Sequence, residues 1–253
     1  MKSIFQEICI KTDSKQKMLA ILLDPDKCIG ETIMQTIALL KVHLPDFIFV
    51  GGSHTDASSA YLVDVLKQNL DASVVLFPGN TSQFSGNADA LLYLSLISGR
   101  NAEFLIGQHI TTSISIKRSG IEVIPTGYLL IDGGAVSATE YISNTRSIPS
   151  NKKEIALSTA IAGELLGMIL TYLEAGSGAV HPVPSAMIRY VKASLSTPLI
   201  VGGGIRSIDQ LEEAYLSGAD IVVVGNIFET EASKIAQFVA LKEQFNSSSK
   251  ESV

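Results

Sequence analysis

Eight short runs rich in apolar and β-branched residues, most of them separated by stretches of helical periodicity, leave this chain few folds to choose from. They are Met18–Leu23, Asp46–Val50, Ser73–Phe77, Ala90–Ser95, Ile121–Ile131, Gly167–Glu174, Pro198–Gly202 and Asp220–Gly225. Helices are expected between most of them, over Gly30–His43, Ala57–Leu70, Asn101–Lys117, Lys152–Leu165, Pro182–Leu195 and Ile208–Ser217, with Glu229–Phe245 closing the chain. Near-continuous apolar runs suit parallel strands, whose two faces are both covered. Strands alternating with helices give βαβ units, and eight units within 253 residues give one closed (β/α)8 TIM barrel, preferred over an open doubly wound sheet. One crossover breaks the rule. Between SVVLF and ALLYLS lies only PGNTSQFSGNAD, too short and too rich in turn formers for a helix, so the third crossover should be a loop or an extended segment. No linker divides the chain, so residues 1–253 are expected to form a single domain with a frayed, disordered tail over 246–253.

Apolar residues make up 46% of the chain, yet the longest apolar runs fall far short of the roughly 18 residues that span a bilayer. The charged N-terminus MKSIFQEICIKTDSKQK has no apolar core of the kind a signal peptide carries. A cytoplasmic protein is expected. Cys9 and Cys28 are too few and too unpatterned for a disulfide framework or a zinc site and read as plain thiols. A net charge of −6 argues against nucleic acid as a partner, though not against a small anionic substrate, which responds to local field.

In barrels of this kind chemistry sits where strands end. The first run is followed by Asp24, Pro25, Asp26 and Lys27, and the second by Gly51, Gly52, Ser53 and His54. The sixth ends in Tyr172 and Glu174 and leads into AGSGA; the seventh delivers Gly202, Gly203, Gly204, Ile205 and Arg206; the eighth delivers Gly225 and Asn226. Two glycine clusters at strands seven and eight are the pattern of a phosphate site, since glycine lets backbone N–H groups approach an anion closely. Glu174 then reads as the group that orients or deprotonates a substrate hydroxyl, or else as half of a rim salt bridge. Asp24 and Ser53 offer hard oxygens suited to Mg²⁺, with a turn or helix-cap aspartate as the alternative reading of Asp24; of the two acids in DPDK, Asp26 is the better cap. The four histidines lack metal-ligand spacing.

Taken together, ILLDPDK, FIFVGGS, VVLFPGN, PTGYLLIDGGA, YLEAGSGA, VGGGIRS and VVVGNIFE resemble the geranylgeranylglyceryl phosphate synthase family, in particular its second subgroup, from about Leu22 to Glu229. The resemblance implies a Mg²⁺-dependent prenyl transfer of ether phospholipid biosynthesis, in which the 3-hydroxyl of sn-glycerol 1-phosphate attacks C1 of a polyprenyl diphosphate. It implies Asp24 and Ser53 as metal ligands and Glu174 as the residue that holds the attacking hydroxyl and takes its proton. It implies Tyr172, Leu173, Glu174, Ala175, Gly176, Ser177, Gly178, Gly203, Gly204, Gly225 and Asn226 as the glycerol phosphate site. It also implies a barrel lacking its third helix, a homo-oligomer (dimer or hexamer), and at most peripheral contact with membrane lipid. Arg100, after the fourth run, is a further candidate for holding diphosphate.

One departure limits the transfer. The first subgroup carries a lysine two residues before the motif aspartate, and here that position is Leu22. Two other readings compete: a sugar-phosphate isomerase on a similar barrel, which would need an acid/base pair for which Cys28 is the only rim cysteine, and a phosphate-binding module without catalysis.

Overall fold

A computed structural model describes residues 3–225 and 231–248. Eight strands follow one another in the order of the chain and close into a barrel: β1 (Met18–Leu23), β2 (Phe47–Val50), β3 (Val74–Leu76), β4 (Ala90–Leu96), β5 (Glu122–Leu130), β6 (Leu170–Glu174), β7 (Leu199–Gly202) and β8 (Ile221–Val224). The pairs β1–β2, β2–β3, β3–β4, β5–β6, β6–β7 and β7–β8 are parallel, and in β2, β3, β6, β7 and β8 every residue is buried, which is why these strands read as unbroken apolar runs. The expected strands all form, within three residues of their expected bounds.

The helices are α1 (Ile4–Asp13), α2 (Gly30–Val42), α3 (Ser59–Asn69), α4 (Gln108–Ser119), α5 (Ala138–Ser143), α6 (Lys153–Leu165), α7 (Ser185–Lys192), α8 (Ile208–Leu216) and α9 (Ile235–Ser248). Between β3 and β4 there is a single 3₁₀ turn at Thr81–Gln83, so the third crossover lacks its helix as expected. Two helices go beyond the expected set. Helix α1 precedes the first strand, and its N-terminus is held by a distant carboxylate: Glu122 accepts from Ser3 Oγ and the Ile4 N–H, each at 2.6 Å, and from the Phe5 N–H at 2.9 Å. Helix α5 is a short insertion capped by Ser137. Helix α4 begins with a π-helical turn over Glu103–Gly107. The first residues of the tail expected to be frayed, 246–248, are helical instead. Helix α9 runs to Ser248, with Asn246 exchanging two hydrogen bonds with the Lys17 backbone; residues 249–253 lie outside the described residues.

Contacts group the chain into two compact units. One holds β1 to β3, the start of β4, α1 to α3, most of α4 and α9; the other holds the end of β4, β5 from Ile124, β6, β7, most of β8 and α5 to α8. Both use the same device. Asp46, Asp89 and Asp220 each stand one residue before an even-numbered strand and accept an N–H at the start of the strand before it: Leu19 (2.9 Å), Val74 (2.8 Å) and Leu199 (2.7 Å). Each also pairs with a lysine from the helix that leads into that earlier strand, namely Lys11, Lys67 and Lys192. Asp46 is further approached by the buried Lys242 of α9 at 3.4 Å. Before β6 the same place is held by Ile169, which keeps the backbone bond to Pro125 and loses the charge. Removing one partner of a buried pair strands the others, so Asp46→Ala should destabilise the protein by about 3 kcal/mol in urea unfolding at neutral pH. A loss below about 0.5 kcal/mol, the level of an exposed pair, would mean that this network contributes no more than surface charge.

Candidate active site

The first group of site residues lies after β1, β2 and β3. Asp24 follows β1; its Oδ1 accepts the Asp26 N–H at 3.0 Å, and Lys27 Nζ stands 3.9 Å from Oδ2. Asp24 therefore does make a turn contact, but it caps no helix, because the residue before α2 is Ile29 and has no side-chain cap. Asp26, the better cap by sequence, instead holds the loop ahead of α3, accepting from the N–H groups of Asp56 (3.0 Å) and Ala57 (2.7 Å). A Cβ built on Gly52 would lie 3.4 Å from the Asp24 carboxylate and 3.0 Å from the Thr55 methyl, so both side chains flank the residue that precedes Ser53. The Thr55 hydroxyl is buried and has no hydrogen-bond partner among the described residues.

The loop after β3 presses on this one. Gly79 approaches so closely that a Cβ there would fall 2.2 Å from the Gly52 carbonyl oxygen and 2.9 Å from Ser53 Cα, a place only glycine can take. Gln83, buried, joins the two loops: its Oε1 accepts the N–H groups of Gly52 (3.3 Å) and Gly79 (3.1 Å), and its Nε2 donates to the Gly52 carbonyl at 2.7 Å. Sequence reasoning misses Gln83, since a glutamine in a polar loop carries no signal of its own.

Among the described residues no three His, Cys, Asp or Glu side chains come together as a metal cage. Mg²⁺ does not need one; it commonly keeps one or two protein oxygens and takes water and phosphate oxygens for the rest. The Asp24 carboxylate, the Ser53 hydroxyl and the orphaned Thr55 hydroxyl, on the loops that follow the paired strands β1 and β2, are hard donors of the right kind.

The second group surrounds the end of β6. Glu174 is its last residue, buried, with Oε1 accepting the Gly176 N–H at 2.8 Å. Burial raises its carboxyl from 4.5 to about 7, although the Gly176 N–H and the Tyr172 hydroxyl both favour the charged form. None of the ion pairs among the described residues includes Glu174. Tyr172 is fully buried beside it, and the ring of Tyr128, its register partner on β5, lies 5.3 Å away. Gly203, after β7, has φ +78°, and a Cβ there would strike Glu174 Oε1 at 2.3 Å and the Gly176 nitrogen at 2.7 Å. The bare glycine backbone is thus what lets the β6 and β7 loops share one carboxylate.

Which N–H groups face a ligand is narrower than the glycines suggest. Within AGSGA the Ala175 N–H is bound by the Gly202 carbonyl, the Gly176 N–H by Glu174 and the Ala179 N–H by the Gly176 carbonyl. Arg206, not among the expected site residues, ties the loops together: its Nη2 donates to the carbonyls of Ala179 (2.7 Å) and Gly178 (3.2 Å). Its own N–H goes to Gln210, which with Ser207 forms the expected capping box at the start of α8. The cation right after GGGI is the signal that could have pointed to it. Arg100 is exposed and donates to the Gly99 carbonyl at 2.7 Å, leaving other donors of its fork for an anion. A Cβ built on Gly225 would meet Leu22, the position where the first subgroup has lysine, at 3.4 Å, an ordinary contact distance. Asn226 and Glu229 lie outside the described residues.

Residues 12–242 match the model of the PcrB family. The chain belongs to the PcrB family. Among its relatives in that family is the geranylgeranylglyceryl phosphate synthase of Chitinophaga pinensis, 51% identical over 229 residues and covering 87% of this chain and 88% of that one. The protein of the same name from Thermococcus gammatolerans is 41% identical and covers 87% of each chain. The solved (S)-3-O-geranylgeranylglyceryl phosphate synthase of Thermoplasma acidophilum, in complex with its substrate sn-glycerol-1-phosphate, superposes with a TM-score of 0.86 at 30% identity, covering 97% of this chain and 98% of that one. The Thermoplasma volcanium protein superposes with 0.85 at 31% identity, covering 98% of each chain. No helix among the described residues of this PcrB family member is long and apolar enough to cross a membrane.

Proposed function

We infer that this PcrB family member is a prenyltransferase that joins the 3-hydroxyl of sn-glycerol 1-phosphate to C1 of geranylgeranyl diphosphate or a similar polyprenyl diphosphate. The observation that carries the reading is a lone buried carboxyl, Glu174, raised to about 7, whose Oε1 accepts the Gly176 N–H and lies so close to Gly203 of the next loop that a Cβ there would strike it. A base with a pKa near the working pH combines availability with driving force. With the phosphate held on the Gly203–Gly204 and Ser177–Gly178 backbone, Glu174 orients the hydroxyl and receives its proton. The new C–O bond forms at C1 as the C1–diphosphate bond breaks, and the electron pair leaves with diphosphate. Asp24 and Ser53 would hold Mg²⁺, whose role when bound is to neutralise the leaving diphosphate. Arg100 is assigned to the same anion.

The competing isomerase reading has no support from Cys28, which is buried and so unsuited to proton exchange with a substrate. We take the enzyme to be a cytoplasmic homo-oligomer touching membrane lipid only peripherally. The test uses labelled sn-glycerol 1-phosphate, geranylgeranyl diphosphate and Mg²⁺, followed by butanol extraction. Label should enter butanol, stay aqueous when EDTA is added, and transfer at least about tenfold more slowly from the 3-phosphate enantiomer. Label that stays aqueous under every condition would rule the transferase reading out.

A further inference from the structure

We propose that Gln83 is the positioning residue of the magnesium–diphosphate half of the site, acting through the Gly52–Ser53 peptide. The inference rests on the function proposed above and extends it to a residue that touches neither substrate. Gln83 is 2% exposed, although it sits on the single turn that replaces a crossover helix. A glutamine buried there must have its amide satisfied, and it is: Oε1 takes two backbone N–H groups and Nε2 gives one bond to the Gly52 carbonyl.

That last bond has a directional consequence. The Gly52 carbonyl belongs to the same planar trans peptide as the Ser53 N–H, and in such a unit C=O and N–H point in opposite directions. By drawing the carbonyl toward itself, Gln83 turns the Ser53 N–H the other way and sets where the Ser53 side chain starts. Gly79 packs on the same peptide, close enough that a Cβ there would lie within 3.0 Å of both Gly52 and Ser53. The Asp24 carboxylate and Thr55, with its orphaned hydroxyl, flank Gly52 in turn. One side-chain amide thereby governs the backbone between two groups assigned to the cation. Oxygen ligands are held in place by groups behind them, and removing such support commonly costs about 10- to 100-fold in metal affinity.

Two variants test this. Gln83→Glu keeps shape and both accepting bonds but sets an oxygen against the Gly52 carbonyl; Gln83→Leu removes all three bonds. Titration calorimetry with magnesium diphosphate, and separately with sn-glycerol 1-phosphate, reads the two half-sites. Both variants should bind magnesium diphosphate about 10- to 100-fold more weakly, hold glycerol phosphate within about twofold, and raise the KM of the prenyl diphosphate alone. Circular dichroism of Gln83→Glu should give a Tm within about 5 °C of wild type. Equal weakening of both ligands would make Gln83 merely structural and overturn the proposal, as would unchanged magnesium diphosphate binding in both variants. A wild-type protein that itself fails to bind magnesium diphosphate would instead remove the functional reading, and this inference with it.

Discussion

Changing Glu174 to Gln is expected to lower kcat by about 10²- to 10⁴-fold while leaving glycerol phosphate affinity within a few-fold, because Gln keeps an oxygen for the Gly176 N–H but accepts no proton. In the wild type, kcat/KM should rise with pH through a single ionisation near 7 and then level off, since only the carboxylate is active. The same substitution should stabilise the fold, and the sign follows from linkage. Glu174 binds its proton more tightly in the folded chain than in the unfolded one, so the folded state holds more protons between pH 4.5 and about 7. Stability conferred by the protonated form is fully present below 4.5, falls as pH rises through that window, and is gone above it. The gap corresponds to about 3 kcal/mol at pH 8, where Gln carries no charge to bury. Glu174→Gln should therefore raise Tm by several degrees at pH 8 and by little at pH 4. Normal turnover in the Glu174→Gln variant would show that the reaction has no need of this carboxylate, and a Tm difference that ignores pH would show that burial does not strain it.

Replacing Gly203 by Ala should lower kcat/KM by at least about 10²-fold. The added methyl would sit 2.3 Å from Glu174 Oε1 and 2.7 Å from the Gly176 nitrogen, so either the carboxylate moves or the β6 and β7 loops part. The φ of +78° adds about 1–2 kcal/mol of backbone strain for any residue with a Cβ. Because the base and the phosphate-holding backbone shift together, KM for glycerol phosphate and kcat should both change, unlike in Glu174→Gln. Steady-state kinetics in both substrates distinguishes them. Near-normal kinetics would show that this glycine is only a turn residue.

Glu174 and Gln83 differ in how far the sequence announces them. Glu174 stands at a strand end, and a carboxylate closing an apolar run is conspicuous. Gln83 and Arg206 are not conspicuous, because their importance lies in partners 31 and 28 residues away. A side chain that satisfies the backbone of another loop leaves no periodicity behind. Helix α1 escapes a linear reading for a similar reason: Glu122, far along the chain, holds its start.

By itself the order of residues determined the eight-stranded barrel, the crossover without a helix and the loops that carry the site. Apolar period, turn formers and caps act over a few neighbours, and so can be read along a line. Only tertiary structure decided which glycine N–H groups are already engaged, that Asp26 holds the α3 loop, and that the Glu174 carboxyl is raised to about 7. Those properties depend on how closely separate loops approach and how much water they exclude, and close packing settles both only after the chain has folded.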